Sequence, residues 1–167
     1  MTPEVIDPGP APPAWWSHRI GEPRIRDLTS RDDLDGGCFA MAAHTDRHEN
    51  AAARYFEAWN ATRPEDVEKA VAAAWTEDGG YTDPLVDVRG HEQIAAVIAA
   101  AHEQFPGFVF RPLGAVDGHH DTARFGWELV NEVDGSAPVA GSDVVTLDEE
   151  GRIRQVLGFL DRVPAGA

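Results

Sequence analysis

The chain has 167 residues, 43% of them apolar, and carries 29 acidic against 14 basic side chains for a formal charge of −15. That balance argues against nucleic acid and membrane as partners, because both attract basic surfaces. Cys38 is the sole cysteine, so neither an intrachain disulfide nor a cysteine metal cluster is expected. No basic start followed by an apolar core marks a signal peptide. The longest apolar run, Ile94 to Ala101, falls well short of the roughly 20 residues that span a bilayer. The expected location is cytoplasmic.

Residues 1–45 join Pro-Gly-Pro-Ala-Pro-Pro to Trp15-Trp16 and a charged stretch with no sustained period. This composition reads as a flexible arm, or as a leader ahead of a true start at Met41. Trp15, Trp16, Ile20 and Ile25 would dock if the arm straps the domain, which is expected over 46–165. There Ala52, Tyr55, Phe56 and Trp59 repeat at helical spacing. Thr62-Arg-Pro-Glu65 matches a capping box and predicts a second helix, with Val67, Ala70, Val71, Ala74 and Trp75 on one face. Asp78-Gly-Gly is read as its stop. A short strand follows, from which Tyr81 and Asp83 point the same way, because strand side chains alternate.

Gly90 opens a third helix with the stripe Ile94, Val97, Ile98 and Ala101. Four strands are predicted near 108–116, 122–133, 139–148 and 152–161, separated by turns at Asp117-Gly118, Asp134-Gly135 and Glu150-Gly151. Helices first and strands after give an α+β fold: a curved antiparallel sheet packed against about three helices, enclosing a cone-shaped pocket.

Three residues stand where an apolar wall is expected. Tyr55 lies on a helix stripe, Asp83 ends a strand as Tyr-Thr-Asp-Pro, and Asp143 interrupts the apolar side of Val139 to Leu147. Burying such groups unpaired costs several kcal/mol, roughly 2–7 for a neutral polar group and more for a charge. Chains keep them mainly where chemistry or binding uses them. Each also has a plainer reading. Asp83 would close a turn, Tyr55 would be core, and Asp143 would serve a structural hydrogen bond. Trp127 and Leu129, with Trp59 and Val97, are the expected apolar lining. His119-His120-Asp121 offers metal-ligand types, but consecutive turn residues diverge, so no metal site is expected.

The order of elements, together with Ala-Arg-Tyr55-Phe-Glu, Thr-Asp83-Pro, Gly90-His-Glu-Gln-Ile-Ala-Ala96 and Asp143-Val-Val-Thr-Leu-Asp-Glu-Glu-Gly-Arg-Ile153, resembles the nuclear transport factor 2-like superfamily. Within it, SnoaL-like proteins and ketosteroid isomerases are most similar. The resemblance to isomerases implies Asp83 as general base, with Tyr55 and a protonated Asp143 donating to an enolate oxygen. It departs at Trp75 and Ile98, where isomerases carry tyrosines that support the oxyanion phenol.

The resulting expectation is an enzyme using general acid–base chemistry on an apolar carbonyl compound, of isomerase or polyketide-cyclase type, needing no cofactor. A non-catalytic ligand-binding or scaffold module of the same fold is the alternative. A third reading is an epoxide-hydrolase-like site, which requires Arg124 inside the cavity beside Asp143. A homodimer is expected, since the open sheet carries more apolar positions than three helices cover.

Overall fold

The computed structural model describes residues 37–164, with side chains from Arg47 onward. The strap residues Trp15, Trp16, Ile20 and Ile25 fall outside this range. Helix α1 (Gly37–Asn60) begins within the segment read as an arm. Its Ala51, Ala52, Tyr55, Phe56, Ala58 and Trp59 are buried, as the spacing predicts.

Helix α2 (Pro64–Ala74) starts differently from its expected capping box. Arg63 is the N-cap and contributes no side-chain cap; Pro64 sets the first turn, where Glu65 and Asp66 suit the helix dipole. The end also differs. Trp75 is already extended, and strand β1 (Trp75–Thr82) leaves α2 without a loop. The Trp75 side chain is fully buried against Tyr55, their rings 5.6 Å apart. Gly79 and Gly80 therefore lie inside β1, at a slip in its register with the last strand. A Cβ at Gly80 would collide with the Gln155 side chain.

Strand β2 (Asp87–Arg89) pairs back on β1, and Gly90, at φ 85°, caps helix α3 (His91–Gln104). Buried Ile94 and Ile98 anchor α3 to the core. His91 Nε2 lies 3.2 Å from the Trp75 carbonyl and His102 Nε2 lies 2.8 Å from the Trp59 carbonyl. Both ends of α3 are thus fastened to the backbone of wall tryptophans.

Strands β3 (Phe108–His119), β4 (Thr122–Asn131), β5 (Val139–Leu147) and β6 (Ile153–Arg162) follow the predicted segments. The first hairpin turns at His120, φ 53°, and not at Asp117-Gly118. Gly118 lies within the strand, where the buried His48 ring occupies the place a Cβ would take. The sheet order is β2-β1-β6-β5-β4-β3. The β6-to-β3 meander is antiparallel as expected; β1 adds to β6 in parallel, making the whole a mixed sheet. The three helices pack beside this curved sheet as an α+β fold. None of the described helices is long and apolar enough to cross a membrane.

Candidate active site

Asp143 sits in the middle of β5, flanked in register by Phe125 on β4 and Gly158 on β6. Only 1% of it is exposed, and neither carboxyl oxygen has a hydrogen-bond partner among the described residues. Burial pushes its pKa up to about 6. The Tyr55 hydroxyl and Trp127 indole N–H face the carboxyl without closing full hydrogen bonds, and both pull the value down. Asp83 and Asp161 push it up by charge repulsion.

Two glycines make room for this arrangement. At Gly158 a Cβ would lie 2.9 Å from Asp143 Oδ1 and 3.2 Å from Asp83 Cβ, so both aspartates crowd one bare stretch of backbone. At Gly141 a Cβ would run into the Trp127 ring, whose Nε1 is buried and unpartnered. Tyr55 meets Trp59 at 5.9 Å and Phe125 at 5.0 Å. Its phenol pKa is driven well up, first by burial and then by the charge of Asp143.

Asp83 differs from Asp143 in that three hydrogen bonds already hold its carboxyl. Oδ1 accepts the N–H groups of Leu85 (2.8 Å) and Val86 (2.9 Å), and Oδ2 accepts the Tyr81 hydroxyl at 3.0 Å. These are the bonds of a turn-closing aspartate.

Tyr55, Asp83, Asp143 and Trp127 therefore meet around one buried carboxyl, and Trp59 stacks on both Tyr55 and Tyr81. Leu129 is buried further along the Trp127 face of β4, and Val97 is half-buried on α3. Sequence reasoning left out Tyr81, Gly141 and Gly158. Only Tyr81 gave a signal, its alternation with Asp83. Arg124 lies outside: it is exposed, faces opposite to buried Ala123 and Phe125, and pairs with Asp117 at 3.0 Å. The irregularity beside it lies in β3, between Leu113 and Asp117, while β4 keeps regular register with β5; the guanidinium is therefore not rotated inward, and the epoxide-hydrolase-like reading fails. Open surface hollows of about 590 and 700 Å³ lie elsewhere and include no residue of this cluster.

A buried acid faced by a phenol and an indole N–H thus sits on the curved sheet of an α+β fold. The model of the SnoaL-like domain matches residues 52–156, and the chain belongs to that family. A candidate isomerase of the SnoaL-like family from Agrobacterium tumefaciens is 43% identical, over 70% of this chain and 98% of that one, with a TM-score of 0.66. A candidate SnoaL-like polyketide cyclase from Jannaschia sp. is 20% identical over 70% of this chain and 87% of its own, TM-score 0.58. A designed protein with a curved sheet shares the fold at 15% identity, covering 70% and 86%, TM-score 0.53. No curated protein matches the sequence.

Proposed function

We propose that the protein is a small-molecule enzyme that moves a proton on an apolar, carbonyl-bearing substrate, with Asp143 as the acid–base group. The observation that carries this reading is a carboxyl 1% exposed, unpartnered, and faced by the Tyr55 hydroxyl and Trp127 indole N–H. An acid with a pKa of about 6 holds and releases protons near neutrality, which suits general acid–base catalysis. Asp83 already accepts three hydrogen bonds and Asp143 none, so this reading gives the base role to Asp143 and not to Asp83. Removing a proton beside a carbonyl puts charge on oxygen, and this reading assigns Tyr55 and Trp127 as the donors that stabilise it. The similarity to a candidate isomerase at 43% identity favours isomerisation over cyclisation. Because the carboxyl is enclosed, substrate entry requires wall side chains to move.

A homodimer accompanies this reading. Leu113, Gly126, Ser142 and Phe159 form one row across four strands, with Leu113 50% and Phe159 56% exposed. Sedimentation of the protein and of Phe159→Arg tests that interface; a parent that sediments as a monomer rules it out.

The activity is tested by incubating the protein in D₂O with a panel of apolar ketones and following deuteration beside the carbonyl by NMR. Deuteration by the parent and not by Asp143→Asn supports the enzyme. Ketone binding with no exchange would leave a non-catalytic binding module of the same fold.

A further inference from the structure

Tyr81 is buried on β1, its ring 5.4 Å from that of Trp59, and its hydroxyl donates to Asp83 Oδ2 at 3.0 Å. Trp59 also stacks on Tyr55, so the two phenols lean on one indole. The Tyr55 hydroxyl faces both Asp143 and Tyr81. Asp83 fixes the far end: two backbone N–H groups hold its Oδ1, leaving Oδ2 directed at Tyr81. Beside it the chain reaches solvent, where Leu85 is 73% exposed.

We propose that Tyr81 is a further functional residue of this site, joining Asp83 to the Tyr55–Asp143 pair so that a buried and a half-exposed carboxyl form one proton-exchanging unit. The inference rests on the acid–base reading above and extends it to how the site resets. A proton taken from substrate onto Asp143 passes to the Tyr55 oxygen as the Tyr55 proton moves to Tyr81. The Tyr81 proton moves in turn to Asp83. Asp143 is again a carboxylate, both phenols are restored, and Asp83, now the acid, gives the proton to water; the same line run in reverse brings a proton from water to Asp143, which returns it to carbon and discharges the enolate. Once Tyr55 closes on Asp143 and Tyr81, this line of phenols removes the need for water to enter beside the ligand.

The groups facing Asp143 are Tyr55 from α1, Tyr81 and Asp83 from β1 and its turn, Trp127 from β4 and Asp161 from β6. Among these, Asp83 and Asp161 are the other carboxyls, and each raises the Asp143 pKa by charge repulsion. Two sites coupled in this way titrate as a pair and not as independent groups.

The test uses the intact, ligand-free protein with carboxyl-carbon labelling of aspartate, following the Asp143 resonance with pH. Its disappearance in Asp143→Asn gives the assignment. The parent should show the Asp143 resonance responding to the Asp83 titration as a second step. Asp83→Asn should remove that step and lower the Asp143 midpoint by about half a unit to one unit, because a repelling charge is gone. Tyr81→Phe should raise the midpoint, because the hydroxyl no longer shares the Asp83 charge. Opposite shifts from the two variants support the unit, whereas a purely structural Tyr81 would alter stability and leave the midpoint in place. Parent-like curves in both variants would overturn it, and if Tyr81→Phe does not fold, a parent-like Asp83→Asn does so alone. Ketone deuteration with no coupling defeats this inference only. Coupling with no deuteration defeats the catalytic reading and leaves the carboxyl pair.

Discussion

Asp143 in the middle of β5 and Asp148 just beyond its end are both buried, 1% and 5% exposed, yet they are treated in opposite ways. Asp148 Oδ1 accepts the Arg152 backbone N–H at 2.7 Å and its Oδ2 accepts Arg152 Nε at 2.9 Å. Burial raises its pKa, but the Arg152 bonds and charge outweigh burial and hold it below the ordinary value. Asp143 receives no such bond and rises to about 6. One carboxylate closes a turn; the other is kept available at a cost in stability. On the proposed reading, the fold sets its acid–base group apart by withholding the partners it supplies elsewhere.

The largest expected effect comes from Asp143→Asn, which should cut ketone deuteration by about 10²–10⁴-fold if general acid–base catalysis is its role. Tyr55→Phe removes one donor and should cost about 10²-fold, read in the same NMR assay. Asp148→Asn should leave deuteration intact in the folded protein while lowering stability by about 1–3 kcal/mol in urea unfolding, because it strips a bonded charge pair. Gly158→Ala forces a Cβ to 2.9 Å from Asp143 Oδ1 and should cost a similar ~1–3 kcal/mol by overpacking. Arg124→Ala should shift stability by no more than about 0.5 kcal/mol and leave deuteration unchanged, since its ion pair with Asp117 is exposed.

Much of this was legible in the sequence where the period was strong. The α1 and α3 stripes and the four-strand meander follow directly from spacing, and the break at Asp143 pointed to the candidate site. The Gly-Gly of β1 misled, because glycine spells a helix stop as readily as a strand passing under a bulky neighbour. Only the register with β6 shows that Gln155 lies over Gly80. Gly158 was invisible for the same reason: its meaning depends on Asp143 and Asp83, distant in the chain. Asp83 was readable both as base and as turn closer, and the choice needed the count of donors around each carboxyl.

The most direct test of the contrast is unfolding free energy against pH for the parent and Asp143→Asn. Below the ordinary value of 3.8 the acid is protonated whether folded or unfolded and contributes nothing. As pH rises from 3.8 toward about 6, the unfolded chain ionises first, so stability falls. Above that window the loss is complete, on the order of 3 kcal/mol from the size of the shift. The account predicts that Asp143→Asn matches the parent near pH 4 and exceeds it by up to this amount at pH 8. A variant no more stable than the parent at pH 8 would show that Asp143 is satisfied in the folded protein, and would contradict the account.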